Sequence, residues 1–228
     1  EEVARVASGV AVTKVNHLDV SGCTGLRGLY CDSPTFDTLD VSKNTELLTL
    51  QCNGNQLREL DLSQNKKLTN LGCGHNQLTQ LDLSQNTQLE IVNCSFNQLT
   101  TLNIRQNKGL MALDASFNQL LQLDISQCQS VRDLLCREYQ LTELDVTHNP
   151  ALEQLDCSEN RLRTLDVSQN RNLQVLFCSK NQLKDIDVIH NQKLRKLVCF
   201  DNENLSLDVS TNRNLEFLSC DGLLQELD

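Results

Sequence analysis

Tryptophan is absent from the 228-residue chain, proline occurs twice, and aromatic residues make up 4%. This is not the composition of an ordinary globular domain. Basic residues are outnumbered, 20 Lys and Arg against 30 Asp and Glu, for a formal net charge of −10. Phosphate backbones need Lys and Arg, so nucleic acid is an unsuitable partner. An anionic membrane surface is unsuitable for the same reason. No apolar run is long enough to span a bilayer, which excludes membrane insertion by a helix. The chain opens with Glu1 and Glu2 rather than a basic segment followed by an apolar one, so a targeting signal was either removed or never present. No C-x-x-C pair occurs and the four His are scattered, which leaves no zinc spacing. Ser–His–Asp arrangements, phosphate-cradling glycine loops and zinc-protease motifs are missing too. The sequence therefore predicts no catalytic residue, no metal site and no cofactor.

What the chain does contain is a repeat. Asp19, Asp40, Asp61, Asp82, Asn103, Asp124, Asp145, Asp166, Asp187 and Asp208 are spaced 21 apart. Cys31, Cys52, Cys73, Cys94, Ala115, Cys136, Cys157, Cys178, Cys199 and Cys220 form a second register of the same period. A fixed period of this length marks a solenoid. One domain, 1–228, is expected, with repeats over 15–220, an N-terminal cap in 1–14 and a shortened last turn in 221–228. Within a turn, Leu47, Leu50, Cys52, Asn55 and Leu57 spell L-x-x-L-x-C-x-x-N-x-L, and Leu57, Leu60, Leu62 and Asn65 repeat its first half. The L-x-L alternation predicts a short strand with one inward face. Neither half has room for a long helix, so a second extended segment is expected opposite the strand. Stacked at ~4.8 Å per turn, ten turns span on the order of 50 Å.

The string from Leu50 to Asn65, L-x-C-x-x-N-Q-L-x-x-L-D-L-S-x-N, resembles the cysteine-ladder leucine-rich repeats of internalin-J-type bacterial surface proteins. The resemblance covers roughly residues 15–220 and rests on both the period and the Cys slot. It implies an α/β-class leucine-rich-repeat horseshoe: a right-handed solenoid of about ten 21-residue turns, mostly β with little helix, its parallel sheet on the concave face. It also implies a bacterial source, an extracellular or cell-surface location, and adhesion or protein binding. It names no partner.

The repeated polar residues read as structure. The asparagines Asn55, Asn76, Asn97, Asn118, Asn160 and Asn181 sit at the strand exit, and Asn44, Asn65, Asn86, Asn107, Asn149, Asn170, Asn191 and Asn212 at a second corner. Both sets are expected to donate to and accept from backbone of the adjacent turn. Nine of the eleven Cys share one inward slot. Stacked Cβ atoms ~4.8 Å apart do not suit a disulfide, which wants ~3.5–4.5 Å, so these thiols are expected to be reduced and inert. Cys23 and Cys128 replace corner Asn residues, and a bridge from Cys23 to Cys31 or from Cys128 to Cys136 is the alternative. The Asp ladder points outward. Local pairing with Ser63, Ser84, Ser126 and Ser168, two residues on, is expected to relieve its repulsion. A row of calcium sites is the competing reading, but a flat ladder offers too few oxygens.

Function is sought where the pattern breaks. The outward strand positions are mostly small or polar, but Val175, Phe177, Lys196, Val198, Phe200 and Phe217 make the last turns apolar. Clustered exposure of this kind marks an interaction site, unless a C-terminal cap covers it. Asp133, Leu135 and Arg137 form a second departure, where Tyr139 replaces a ladder Asn and Cys128 a corner Asn. Phe96 and Phe117, in equivalent positions, are expected to stack or to extend a binding rim. Tyr30 is isolated. Val3, Val6 and Val10 are placed to cover the first turn, and Asn204–Leu205 marks a one-residue slip with a bulged loop. No polar cap follows Leu223, Leu224 and Leu227, so the expected last edge is open, inviting end-to-end association of an otherwise monomeric domain or further chain beyond. The expected activity is non-enzymatic binding of a protein or glycoprotein on the concave face, with glycan or mucin binding and a structural spacer as alternatives.

Overall fold

The computed structural model describes residues 4–5, 18–32, 35–202 and 205–220. Its regular elements are strands of two or three residues: β1 (Ala4–Arg5), β2 (Gly28–Tyr30), β3 (Thr49–Gln51), β4 (Asn70–Gly72), β5 (Ile91–Asn93), β6 (Ala112–Asp114), β7 (Asp133–Leu135), β8 (Gln154–Asp156), β9 (Val175–Phe177), β10 (Asp185–Asp187), β11 (Lys196–Val198), β12 (Ser206–Asp208) and β13 (Phe217–Ser219). One 11-stranded parallel sheet runs β1-β2-β3-β4-β5-β6-β7-β8-β9-β11-β13, and β10 pairs with β12 in a second, 2-stranded sheet. The register is that of the repeat, with Leu50 opposite both Leu29 and Leu71.

The architecture is the expected parallel-sheet solenoid, with a small difference in number: the ten strands β2–β9, β11 and β13 bound nine complete turns, against about ten expected. The expectation of mostly β with little helix holds, since no helix occurs among the described residues. The burial pattern explains why. Between β3 and β4 the inward residues are Cys52, Asn55, Leu57, Leu60, Leu62, Asn65 and Leu68, one every two or three positions. A helix would bring a residue back to the same face only at intervals of three to four. The return path is accordingly extended, and it pairs as strand only in β10 and β12 and at an isolated Asp82–Asn103 bridge.

Stacked columns of side chains, several to a turn, fill the interior. Leu50, Leu71, Leu113, Leu134, Leu155, Leu176 and Leu197 are all buried, each covered by the turns before and after. Full burial of one such side chain is worth roughly 1.5–3 kcal/mol, which no turn could gain alone. Of the predicted N-terminal cap, Ala4–Arg5 pair as β1 with β2, Ala4 opposite Leu29; the rest of 1–14, the segment 221–228 and the bulge at Asn204 lie outside the described residues, and Leu205 packs half-buried against the core.

Asparagine stitches the turns together at the strand exit. Asn76 Nδ2 donates to Cys52 O of the preceding turn and to Cys73 O of its own, both at 3.0 Å. Its Oδ1 accepts the Leu57 N–H at 3.0 Å. Asn97, Asn118, Asn160 and Asn181 repeat this arrangement, and so does Asn202. The second corner differs from expectation. Asn65 Nδ2 donates to Val41 O and Asn44 O, at 3.0 and 2.9 Å, but its Oδ1 is buried without a donor, as are those of its seven counterparts. The turns there close locally, with Leu47 N–H to Asn44 O at 3.1 Å, so the side chain serves as a donor alone.

Two substitutions in this lattice are explained by what they touch. Cys128 stands in for a second-corner Asn, and its thiol faces Ile104 O and Asn107 O, both at 3.6 Å. The thiol thus meets the carbonyls that an amide would meet, with a weaker donor. Tyr139 stands in for a strand-exit Asn and is buried. Burial pushes its phenol upward, with Cys94, Cys136, Asp114 and Asn118 around it. The residue at the Cys slot of the preceding turn is Ala115, the one place in that column where a smaller side chain replaces the thiol.

We predict that Cys128→Asn stabilises the protein, by about 1 kcal/mol in urea unfolding, because a full amide replaces a thiol on two buried carbonyls. An unchanged or lowered midpoint would mean that the thiol already serves this corner as well as an amide does.

Candidate binding surfaces

The strand alternation fixes which side chains face outward. In β9, β11 and β13 the inward residues are Leu176, Leu197 and Leu218, and their neighbours project from the opposite face. Lys196 lies beside Val175 and Phe217, and Val198 beside Phe177 and Ser219. Phe217 therefore stands directly beside Lys196 and Phe177 diagonally across from it. The ammonium of Lys196 is 5.0 Å from the Phe177 ring centroid and 4.8 Å from that of Phe217. Each contact contributes about 0.5–1 kcal/mol at an exposed site. Phe217 is 50% exposed, so the ring offers area to a partner as well as to Lys196. No acidic side chain pairs with Lys196 among the described residues; the adjacent Arg195 is paired with Glu216 at 2.9 Å.

Five of the predicted residues, Val175, Phe177, Lys196, Val198 and Phe217, are thus brought together on one face. Phe200 is not part of that group. It lies just beyond β11, half-buried, and joins none of the ring contacts; its carbonyl accepts the Lys180 N–H at 2.8 Å.

The second predicted group divides. Asp133 and Leu135 belong to β7, with Asp133 exposed and Leu135 half-buried. Partial burial, with Glu153 nearby, raises the Asp133 carboxyl above its ordinary range, while Arg132 opposes. Arg137 turns away from both. Its guanidinium pairs with Glu159 and lies 5.7 Å from the Phe117 ring centroid. Arg137 is therefore part of a lateral array rather than of a mixed-charge patch on the sheet. That array includes a residue the sequence reading passed over. His75 stacks on Phe96 with ring centroids 4.1 Å apart, and Phe96 stacks on Phe117 at 4.0 Å. All three have left-handed backbone, φ 52–58°, in a register whose first member among the described residues with such backbone is Gly54, φ 70°. That glycine was the one available signal. Ile91, 43% exposed on β5, is a further outward apolar residue that the sequence reading left out.

The cysteine and aspartate columns carry no reactive geometry. All eleven thiols are free, including the proposed Cys23–Cys31 and Cys128–Cys136 pairs. Burial pushes the thiols of Cys31 and Cys94 up to about 12 and that of Cys128 to about 11, so thiolate nucleophiles are scarce there. Each ladder Asp caps its own turn: Asp61 Oδ1 accepts the Ser63 N–H at 2.9 Å, and Asp82, Asp124 and Asp166 do likewise with Ser84, Ser126 and Ser168. Thr147 and Ile189 fill the Ser place after Asp145 and Asp187, so the backbone N–H is the constant partner. These carboxylates are occupied locally, and no group of three His, Cys, Asp or Glu is placed to hold a metal among the described residues.

The solved structures that resemble this chain are repeat solenoids. The functional domain of InlJ from Listeria monocytogenes, which includes a cysteine ladder, is 37% identical over 87% of this chain, with a TM-score of 0.73. The match spans 49% of that domain, so this chain covers about half its length. A leucine-rich-repeat protein of Leptospira interrogans is 22% identical over 89% of this chain and 62% of its own, with a TM-score of 0.73. The internalin inlF of Listeria monocytogenes is 18% identical over 88% and 68%, with a TM-score of 0.74. No protein-family profile matches the chain, and no curated protein does.

The aspartate caps make stability depend on pH. The Ser126 hydroxyl and N–H, with Arg105, lower the Asp124 carboxyl to about 2. An unfolded Asp titrates near ~3.9, so this stabilisation is complete above that value and is lost as pH falls through about 2. Asp124→Asn is expected to flatten that part of the acid limb while leaving the fold intact at pH 7, since Asn103 already makes the same bond to Arg105 N–H. Unfolding followed against pH tests this; an acid limb identical in both proteins would contradict it.

Proposed function

The chain is a cysteine-ladder leucine-rich-repeat domain of the internalin J type, and we propose that it is a non-enzymatic binding module that holds a protein or glycoprotein on the outer face of its main sheet. A leucine-rich-repeat solenoid presents this face on its concave side. The observation that carries the reading is the Phe177–Lys196–Phe217 group, two exposed or half-buried rings held on either side of one cation. Leaving large apolar side chains at the surface forgoes about 1.5–3 kcal/mol of burial each, which association with a partner recovers. The rings supply rigid contact area and Lys196 supplies a charge free to meet an acceptor on the ligand. Val175 and Val198 widen the apolar floor. Asp133 and Leu135, two strands away from β9, extend the same face with a more polar surface.

The net charge of −10 favours a protein or glycan over a nucleic acid. No helix of the described residues is long and apolar enough to cross a membrane. An extracellular or bacterial cell-surface location accords with the similarity to the InlJ domain.

The test is binding of the wild type and of a Phe177→Ser, Phe200→Ser, Phe217→Ser variant to immobilised mucin, glycans and matrix proteins, after circular dichroism has verified that the variant is folded. We expect a ligand held by the wild type to be lost, by tenfold or more in affinity, in the folded variant. Equal binding by both would move the site off this face, and no binding by either would favour a spacer.

A further inference from the structure

The outer face of β2–β5 is floored by glycine and covered by one ring and a set of amides. Gly28 and Gly72 take two of its outward places, and a neighbouring side chain lies across each. Outward Cβ atoms two residues apart on a strand stand ~6.6 Å from one another. A Cβ at Gly28 would nevertheless meet Cε2 of Tyr30 at 3.4 Å, so the tyrosine ring leans along its strand over the glycine. Tyr30 is 43% exposed in this posture. A Cβ at Gly72 would collide with Oε1 of Gln51 and lie 2.8 Å from its Cδ, so the Gln51 amide occupies the space above that glycine. Hydrogen bonds fix this amide. Gln51 Oε1 accepts from Asn53 Nδ2 at 3.1 Å, the same Nδ2 donates to Asp32 at 3.1 Å, and Asn53 Oδ1 accepts the Gly74 N–H at 2.8 Å. Asn93 faces Gln51 across Gly72, and its Oδ1 accepts the Ser95 N–H at 3.0 Å and the Ser95 hydroxyl at 2.7 Å. Both amides are thus held by their oxygens, while Gln51 Nε2 and Asn93 Nδ2 have no partner among the described residues. No outward residue of β2–β5 carries a charge.

We propose that this surface is a binding site for a neutral oligosaccharide. A sugar is recognised by a flat apolar surface for its C–H face and by fixed hydrogen-bonding groups for its hydroxyls. Tyr30 supplies the first, with a ring laid along the sheet and an O–H at its tip. Gln51 Nε2 and Asn93 Nδ2 supply the second, from strands two spacings or ~9.6 Å apart. An amide whose oxygen is already bonded loses little freedom when its N–H meets a hydroxyl, so the network lowers the cost of holding the ligand. The lack of charge selects a neutral sugar. A sialylated or sulfated one would find no cation among the outward residues of β2–β5, and Asp32 beside them has the same sign. The site is separate from the Phe177–Lys196–Phe217 group and stands or falls independently of it.

The test is saturation-transfer NMR titration of the full chain with cellotetraose, chitotetraose and mannotetraose, and with sialyllactose and a heparin tetrasaccharide as anionic controls. Tyrosine emission gives a second readout in the wild type, since without tryptophan it comes from Tyr30 and the buried Tyr139. We expect saturable binding of at least one neutral tetrasaccharide, tighter than either control. Tyr30→Ala should weaken it roughly tenfold. Gly72→Ala should weaken it several-fold with an unchanged circular dichroism spectrum, because the new Cβ displaces the ends of the Gln51 and Asn53 side chains rather than backbone. Phe177→Ser should bind the sugar as the wild type does. The proposal is overturned if no neutral tetrasaccharide binds, if a control binds more tightly, or if either folded variant, Tyr30→Ala or Gly72→Ala, binds as the wild type does.

Discussion

The solenoid depends on one side-chain amide per turn. Each main-sheet strand after β1 is three residues long, so the strand ladder by itself ties neighbouring turns with few bonds. The strand-exit asparagine adds three. Asn97, for example, bonds Cys73 O of the turn before, Cys94 O of its own turn, and Leu78 N–H. The carbonyls of Cys52, Cys73, Cys94, Cys157 and Cys178 each receive two such amides, as Cys73 O does from Asn76 and Asn97, so the column is continuous from Asn55 to Asn118 and again from Asn160 to Asn202. Buried amides of this kind cost about 1–3 kcal/mol each if left unpaired, so every turn needs a neighbour with the same residue in the same place. The repeat in the sequence is the consequence. The Cys slot follows as well: it is the inward position next to this amide, with Cys157 Sγ only 3.5 Å from Phe177 O, and a compact side chain suits it.

A lattice this regular turns every repeated residue type into a column. The aspartate column is tolerable because each carboxylate is spent on the N–H two residues on, and the basic residues that meet it, such as Arg105 at Asp124, are few. The cysteine column is chemically quiet because burial disfavours thiolate. Against these uniform columns the residue type changes on β9, β11 and β13, where two rings and a lysine stand together. The scaffold makes such a group possible, since one strand spacing brings residues 21 apart within reach of one another.

Much of this was legible in the sequence. The period of 21, the inward and outward assignment of the strand residues, the backbone role of the asparagines and the free thiols all follow from alternation and spacing. What escaped it depends on side-chain direction across turns. Arg137 occupies the position after a ladder Cys, which reads as outward, yet it reaches sideways to Phe117 and Glu159. The second-corner asparagines read as donors and acceptors alike, but local turn closure leaves them as donors only. His75 was missed because His, Phe, Glu, Lys and Asp do not advertise left-handed backbone; only Gly54, the first of the described residues with such backbone, does.

The central claim is that asparagine, more than the short strands, holds each turn to the next, and the chain contains its own control in Tyr139. There the column breaks, and no asparagine oxygen meets the Leu120 N–H. Residue-resolved hydrogen exchange on the full chain tests this most directly. The account predicts slow exchange at Leu57, Leu78, Leu99, Leu141 and Leu162, whose N–H groups donate to asparagine Oδ1, and exchange up to about tenfold faster at Leu120. Uniform protection at all six would mean that the strands and the core alone carry the cohesion of the turns, and would contradict it.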